Sequence, residues 1–197
     1  MSTMDELTWY GIVHQVPILQ AEGLDYMEDY LKTHSVSSFL EIGTAIGRTA
    51  LRAAKINPNC RIITIERKPE MIQEARKNFE KYDTAHQIEL IEGDARVVPI
   101  PARTFDCIFI DAAKNQYRTF FERFAPMLEK DGVIISDNMN FHGMVDHPER
   151  TNNRHTRALL RRIREYREFL ASLEDYETEF LEIGDGIAVT RRKNTDV

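Results

Sequence analysis

Short apolar runs alternate with amphipathic stretches along most of the chain, and this alternation predicts a sheet covered by helices. The runs carry Ile and Val at successive positions, which is typical of parallel strands buried on both faces. We expect five such strands, at 39–42, 61–66, 88–92, 105–111 and 133–136. Helices are predicted at 69–82, with Pro69 in its first turn, and at 117–128. Right-handed crossovers then give a doubly wound α/β sheet.

The last fifty residues follow a different pattern. A long helix is predicted from Asn152 to Leu173, followed by two strands at 178–183 and 186–191. Only Gly184 and Asp185 lie between these strands, which predicts a hairpin turn. We therefore expect an antiparallel pair at the edge of an otherwise parallel sheet.

The first 37 residues are predicted to be helical and to lead into the first strand. The stretch from Glu22 to Lys32 is amphipathic, and the serine-rich segment 35–38 breaks it before the strand. No repeat or low-complexity linker interrupts the chain. We therefore expect one domain over residues 1–197.

Composition narrows the class of protein. Apolar residues make up 42% and charged residues 29% of the chain, as in ordinary globular proteins. No apolar run approaches the roughly 20 residues that span a bilayer, and the N-terminus lacks the apolar segment of a signal peptide. Cys60 and Cys107 fall in or beside predicted strands and are expected to be buried, reduced thiols. We expect a cytoplasmic protein without membrane contact, and the net charge of −6 argues against indiscriminate nucleic-acid binding.

A glycine turn between the first strand and its helix is the first candidate site. It contains Glu41, Gly43 and Gly47, a layout in which a helix N-terminus and bare backbone can hold a cofactor. Glu66 ends the next strand, where a carboxylate can accept hydrogen bonds from ribose hydroxyls, although a solvated strand end is the simpler interpretation. Asp94 follows the third strand and can bind an adenine amino group. Because no pyrophosphate fingerprint is present, the set favours S-adenosylmethionine over NAD.

Three motifs in order resemble a known family. Leu40-Glu-Ile-Gly-Thr-Ala-Ile-Gly, Ile110-Asp-Ala-Ala-Lys-Asn-Gln-Tyr and Ser136-Asp-Asn are similar to motifs of the metal-dependent class I O-methyltransferases, the catechol and caffeoyl-CoA type. The resemblance implies a Rossmann-like, seven-stranded sheet ordered 3-2-1-4-5-7-6, with the last strand antiparallel. It also implies homodimers, for which the N-terminal helices are the candidate contact. The cofactor contacts that it implies are Gly43, Thr49, Glu66, Ala95 and Asp111, with Val16 covering the methionine end.

A metal site is expected where the fourth and fifth strands end. Asp111, Asp137 and Asn138 would meet there in a sheet of that order, and their oxygens suit Mg²⁺, with Mn²⁺ or Ca²⁺ as alternatives. Asp-Asn after a strand is also a common turn or helix cap. The resemblance gives Lys114 the role of deprotonating a metal-chelated hydroxyl, so the acceptor should carry two adjacent oxygens.

An arginine stripe after the fifth strand bears on the acceptor. Within 150–167 there are seven arginines and one acid, Glu165. If the helix starts early, five of them share one stripe: Arg150, Arg154, Arg157, Arg161 and Arg164. Guanidinium groups match phosphates, so the stripe is a candidate nucleic-acid contact, although a solvated helix face is the default.

The resemblance is closest to bacterial tRNA 5-hydroxyuridine methyltransferases, which implies the tRNA anticodon loop as partner and 5-methoxyuridine as product. An unpaired wobble base can enter a pocket, and its two neighbouring oxygens can chelate a cation. Two alternatives stay open: an enzyme acting on catechols or hydroxycinnamoyl-CoA esters, and a non-catalytic adenosine-binding domain. The glutamate that catechol enzymes carry after this point has no counterpart here, and His142 and His147 are left outside the metal set.

Overall fold

The predicted alternation of buried strands and covering helices is present in the structure, a computed structural model that describes residues 3–193, with side chains from residue 6 onward. The helices are α1 (Thr3–Val13), α2 (Ala21–Thr33), α3 (Arg48–Ile56), α4 (Pro69–Tyr82), α5 (Tyr117–Phe124) and α6 (Arg154–Ala171). The strands are β1 (Ser38–Ile42), β2 (Arg61–Glu66), β3 (Ile88–Glu92), β4 (Phe105–Ile110), β5 (Leu128–Ser136), β6 (Tyr176–Leu181) and β7 (Ile187–Arg192). Single 3₁₀ turns lie at Lys114–Gln116, Ala125–Met127 and Pro148–Arg150.

The sheet has the expected order, β3-β2-β1-β4-β5-β7-β6. The pairs β1–β2, β1–β4, β2–β3 and β4–β5 are parallel, and β7 runs antiparallel to both of its neighbours. The register aligns Ile42 of β1 with Ile110 of β4, and Ile110 with Ser136 of β5. The residues that follow these three strand ends therefore lie side by side at one edge of the sheet.

Three predicted boundaries are wrong. The helix expected over 117–128 ends at Phe124, because Pro126 lies in the next turn and lacks the N–H that a continuing helix needs. The fifth strand begins at Leu128 rather than at residue 133, and its register with β4 shifts between the pairs at Phe105 and Cys107. The loop of the hairpin spans residues 182–186 instead of two residues, and both its glycines adopt positive φ.

Two apolar layers cover the two faces of the sheet. On one face, aromatic side chains of α5 and α6 pack on Ile108, Ile110 and Ile134. On the other, side chains of α2 and α3 pack on Phe39, Ile62 and Ile135. The α6 residues that are buried are Leu160, Ile163, Tyr166 and Leu170.

The segment between α1 and α2 is attached to the body of the sheet by one buried arginine. Arg48, at the start of α3, donates from Nη1 to the carbonyl of Leu19 at 2.9 Å and from Nε to Thr8 Oγ1 at 3.0 Å. Burial lowers the pKa of this guanidinium. Val16 packs in the same region against Leu7, Ile46 and Leu51.

Two predictions from composition can be compared with the described residues. None of the helices within residues 3–193 is both long enough and apolar enough to cross a bilayer. Cys60 and Cys107 are free and buried, as expected, and burial raises the pKa of both thiols.

Candidate active site

A cavity of about 280 Å³ opens at the edge where the parallel strands end. Six residues predicted from the sequence line it: Gly43, Glu66, Asp94, Ala95, Asp111 and Lys114. Thr49 lines a small neighbouring recess together with Gly43, Asp111 and the segment Pro17–Leu19. The N-terminal segment therefore borders the cavity through Pro17, whereas Val16, the residue that the resemblance indicated, packs in the apolar layer behind it.

The glycine turn is shaped by two different constraints. Gly43 has φ +106°, and a Cβ there would lie 2.0 Å from the carbonyl oxygen of Asp111. Gly47 has φ +82°, and a Cβ there would lie 2.4 Å from the ring of Phe79 on α4. Gly43 thus permits the close approach of two strand ends beside the cavity, whereas Gly47 permits helix packing. A cofactor contact by Gly47 stays a prediction.

Glu66 lies with its carboxylate against backbone N–H groups at the cavity wall. Its Oε2 accepts from the N–H of Ala45 at 2.9 Å, and its Oε1 accepts from those of Arg67 and Lys68 at 2.8 and 3.0 Å. These bonds fix the carboxylate at the end of β2 and use both lone pairs of Oε1, whereas Oε2 retains one. The geometry is compatible with ribose binding.

The carboxylate of Asp94 accepts hydrogen bonds from Arg96, two residues further along the same loop. Nε of Arg96 lies 3.0 Å from both carboxylate oxygens, and the Arg96 N–H donates at 2.9 Å. These bonds lower the pKa of Asp94 to about 2. The carboxylate is therefore charged and oriented at the cavity wall, and its predicted contact with adenine stays untested.

Glu41 lies apart from the cavity, inside the sheet. It is 1% exposed and accepts a hydrogen bond from the hydroxyl of Thr64, which is itself 2.6 Å from that of Thr44. Burial raises the pKa of Glu41 to about 8, and the charges of Asp111 and Glu66 act in the same direction. The carboxyl group of Glu41 does not line the cavity, so this geometry does not support a contact with the cofactor. The assignment of Glu41 as a cofactor ligand stays a prediction.

Asp111, Asp137 and Asn138 meet as predicted at the ends of β4 and β5. The Asn138 Nδ2 donates to Asp137 Oδ2 and lies 3.5 Å from Asp111 Oδ1. Asn138 adopts φ +63°, which turns its side chain toward the two carboxylates. Lys114 follows in the 3₁₀ turn after β4, and its charge lowers the pKa of both aspartates.

This trio has the properties of a cation site. Burial raises the pKa of Asp111 and Asp137, and the charge of Asp111 raises that of Asp137 further. Adjacent oxygens of an octahedral Mg²⁺ site with bonds of about 2.1 Å are about 3.0 Å apart, and the distances from Asn138 Nδ2 to Asp137 Oδ2 and Asp111 Oδ1, 2.5 and 3.5 Å, lie on either side of this value. A half-turn of the Asn138 amide would present its oxygen instead of its nitrogen. The residues therefore fit a divalent cation.

Two further residues lie at the site, and nothing in the sequence pattern indicated that they would. Gly23, in the first turn of α2, lies beside Asp137: a Cβ there would be in ordinary contact with Oδ1 at 3.8 Å and closer, at 3.0 Å, to the side chain of Leu19. Asp185, in the hairpin loop, accepts from the N–H of His142 at 3.1 Å and contacts its Nδ1 at 2.9 Å. His142 is thus paired with a carboxylate and stays outside the metal trio.

The arginines of the stripe are all exposed, but some bind backbone carbonyls of the described residues and others do not. Arg150 precedes α6, which starts at Arg154, so the prediction of a single five-residue helical stripe is wrong. Arg157 donates to the carbonyl of Thr151 and Arg164 to that of Val145. The guanidinium groups of Arg154 and Arg161 project from the exposed face of α6, with Arg161 3.6 Å from Glu165.

The sheet order, the glycine turn and the acidic strand ends together define a Rossmann-like methyltransferase. The family model described as O-methyltransferase matches residues 1–193, and the chain belongs to this family. It is therefore an S-adenosylmethionine-dependent O-methyltransferase.

Three comparisons illustrate how similar the relatives are. A Staphylococcus aureus protein, whose crystal structure is named for a candidate caffeoyl-CoA O-methyltransferase, is 35% identical with a TM-score of 0.93, over 98% of this chain and 93% of that one. Caffeoyl-CoA O-methyltransferase 5 of Nicotiana tabacum is 28% identical over 85% of this chain and 73% of its own length. A Podospora anserina methyltransferase solved with S-adenosylhomocysteine shares the fold at 23% identity, with a TM-score of 0.85 over 98% of this chain and 89% of that one.

Proposed function

We propose that the protein transfers a methyl group from S-adenosylmethionine to one of two adjacent oxygens of an acceptor, which Mg²⁺ holds against Asp111, Asp137 and Asn138. The observation that carries the proposal is a pair of carboxylates that share one amide neighbour, Asn138: Asp137 is buried, and Asp111 is half-buried and lines the cavity. Two such groups repel each other when both are charged, and a cation between them relieves the repulsion. When bound, a divalent cation lowers the pKa of a chelated hydroxyl and fixes its orientation.

The residues around the cavity support in-line methyl transfer. Glu66 and the backbone of Gly43 line the cavity together with Asp111 and would hold the cofactor, which when bound would supply the methyl group from its sulfonium. The acceptor oxygen forms a bond to the methyl carbon as the carbon–sulfur bond breaks, and S-adenosylhomocysteine leaves. Lys114 lines the same cavity, and its Nζ in the neutral amine form would take the proton of the hydroxyl.

The first candidate acceptor is a small molecule of the hydroxycinnamoyl-CoA or catechol type. The comparisons favour it, because the tobacco relative is named a caffeoyl-CoA O-methyltransferase and the match covers 73% of its length. A coenzyme A ester is favoured over a free catechol, because the segment after Asn138 lacks the glutamate that holds a second catechol hydroxyl.

The second candidate is 5-hydroxyuridine at the wobble position of tRNA. The exposed guanidinium groups of Arg154 and Arg161 on α6 support it, together with Arg150 in the preceding turn. Arg157 and Arg164 hold the backbone of residues 145–151 and act on tRNA only indirectly. Contacts with phosphates of an anticodon stem would give these exposed guanidinium groups a function, since among the described residues they bind no backbone carbonyl, unlike Arg157 and Arg164.

The metal mechanism is tested by Asp111→Ala and Asp137→Ala. Each should abolish transfer of labelled methyl groups to any acceptor. Asp137→Ala should leave S-adenosylmethionine affinity, measured by calorimetry, within a few-fold of wild type, whereas Asp111→Ala should also weaken it, because Asp111 lines the cofactor cavity. Asp146→Ala is the control, since this exposed residue of the same segment pairs with Arg167. Undiminished turnover in either cavity variant would rule out the mechanism.

The acceptor is identified by presenting three substrates in parallel and analysing the products by mass spectrometry. These are a simple catechol, caffeoyl-CoA and tRNA that contains 5-hydroxyuridine. Activity on tRNA should fall steeply between 50 and about 200 mM salt and be weakened at least tenfold in Arg154→Gln/Arg161→Gln. Arg76→Gln on α4 is the matched control for loss of an exposed arginine. If the double variant uses tRNA as well as wild type does, the α6 surface is not a tRNA contact.

We also expect a homodimer, with the N-terminal helices as the contact. Trp9 and Ile12 on α1 are 60% and 68% exposed, which is unusual for large apolar side chains and supports this expectation. Sedimentation of wild type and Trp9→Glu/Ile12→Glu tests it. A wild-type protein that sediments as a monomer at micromolar concentration would contradict it.

A further inference from the structure

The phenol of Tyr117 is a buried polar group that lacks a partner. Tyr117 is 1% exposed, and the proton of its hydroxyl has no acceptor within the part of the chain that the structure describes. Glu28 Oε1 also lacks a hydrogen bond by the same criterion, but it forms an ion pair with Arg52. A buried hydroxyl that lacks a hydrogen bond destabilises the folded protein, because it has lost its hydrogen bonds with water and gained none. The position of Tyr117 therefore calls for a partner that the polypeptide does not supply.

The surroundings of this phenol place it behind the metal trio. Tyr117 starts α5, directly after the 3₁₀ turn that carries Lys114. Burial raises the pKa of the phenol, as do the charges of Asp111 and Asp137, whereas the N–H of Ala112 lowers it. The oxygen thus lies near the peptide that follows Asp111.

A neighbouring tyrosine shows what a satisfied phenol looks like in the same layer. The rings of Tyr117 and Tyr166 meet edge to face, with centroids 5.4 Å apart. The hydroxyl of Tyr166 lies 2.9 Å from that of Ser136, the residue before Asp137. Both phenols are buried beneath the ends of β4 and β5, but only that of Tyr166 has its hydrogen bond.

We propose that Tyr117 is a positioning residue of the metal site, whose hydroxyl donates a hydrogen bond to an oxygen that coordinates the bound cation. The proposal rests on the metal-dependent function given above. It explains why a hydroxyl is retained at a buried position where phenylalanine would fill the same space without an unsatisfied group. It also gives the carboxylates a neutral donor that holds a coordinating oxygen without competing for the cation.

The test compares two conservative variants by metal binding rather than by turnover. Mn²⁺ affinity is measured by the electron paramagnetic resonance signal of free Mn²⁺, with S-adenosylhomocysteine present, in wild type, Tyr117→Phe and Tyr166→Phe. Tyr117→Phe should bind Mn²⁺ roughly 10- to 100-fold more weakly, while its metal-free stability to urea is equal to or higher than that of wild type. Tyr166→Phe should show the reverse: lower stability, from loss of the bond to Ser136, and Mn²⁺ affinity within about threefold of wild type.

The possible results separate this inference from the function on which it rests. Equal Mn²⁺ affinity of wild type and Tyr117→Phe would overturn the inference and leave the metal mechanism standing. A metal-free Tyr117→Phe as destabilised as Tyr166→Phe would mean that the phenol already has a partner, which also overturns it. Failure of wild type itself to bind Mn²⁺ would refute the proposed function, and the inference with it.

Discussion

Replacing Glu41 by glutamine should make the protein more stable at neutral pH than it is with its natural residue. The ordinary pKa of this carboxyl is 4.5, and burial between the strands raises it to about 8. At neutral pH Glu41 is therefore protonated in the folded protein and ionised in the unfolded chain, so unfolding releases one proton. Stability linked to this proton is complete below pH 4.5 and declines as the pH rises toward 8. Glutamine stays neutral throughout and can still accept the hydrogen bond of Thr64.

The size of the effect follows from the shift. Each pH unit between the two pKa values costs wild type about 1.4 kcal/mol of unfolding free energy, so the variant should gain about 2.7 kcal/mol on wild type between pH 5 and pH 7. Because the difference between the two proteins is measured, the titration of other carboxyl groups cancels. Urea unfolding at pH 5, 6, 7 and 8, without cofactor and with chelator, gives the required free energies.

The control for this experiment is Glu89→Gln, which removes an exposed carboxylate from β3. Its stability should follow that of wild type across the pH range. Parallel curves for wild type and Glu41→Gln would refute the reasoning, because they would mean that the buried carboxyl is already ionised in the folded protein. The S-adenosylmethionine affinity of Glu41→Gln, measured alongside, tests the sequence-based assignment of this residue to the cofactor.

Two other substitutions probe the frame of the cavity. Gly47→Ala should destabilise the protein by about 2–4 kcal/mol, because the residue has a positive φ and its Cβ would overlap the ring of Phe79. The control is Gly143→Ala, where φ is +72° and no atom would lie nearer than 3.6 Å to the Cβ, and it should cost about 1 kcal/mol. Equal losses of unfolding free energy in urea would contradict this prediction. Arg48→Met should speed hydrogen exchange of residues 6–20 and weaken cofactor binding several-fold, because the contact with Leu19 is lost. Unchanged exchange in that segment would mean that the arginine does not hold it.

The regular elements could be predicted closely because local signals agree there. The bounds of β2, β3 and α4 match the expectations, since Ile-rich runs and a proline in the first turn fix them without help from distant residues. The end of α5 could not be predicted, because the apolar pattern continues to Leu128 while the chain turns at Pro126. The start of β5 is equally hidden, since polar residues 129–131 interrupt the strand where its register shifts.

The site was predictable only where residues follow strand ends. Asp111, Asp137 and Asn138 share one edge because parallel strands end together, so their meeting follows from topology alone. The roles of Arg48, Tyr117 and Asp185 depend on partners 29 or more residues away, or on the absence of any partner. A charge count also overstated the arginine surface, because it cannot distinguish a guanidinium that binds a backbone carbonyl from one in solvent.

The segment after Asn138 is built under strain, and the hairpin loop is what holds it. Phe141 and His142 adopt φ of +43° and +56°, a region that costs a non-glycine residue about 1 kcal/mol or more. Asp185 offsets this cost: its carbonyl accepts from Asn140 at 2.6 Å, and its carboxylate accepts from the N–H of His142. The next loop residue, Gly186, approaches the same segment so closely that a Cβ would lie 2.7 Å from the N of Asn140.

The wall beside the metal trio is therefore shaped by two segments that are some forty residues apart in the sequence. A change of acceptor that replaces Asp185 or Gly186 requires compatible changes in the segment after Asn138, since the N–H of His142 would lose its acceptor or a Cβ would meet Asn140. The strand ends proposed to hold the cofactor and the cation are independent of this pairing, because the sheet register fixes them. Methyl transfer can thus be retained while the acceptor changes, which is why the chemistry follows from the strand ends of this chain and the acceptor does not.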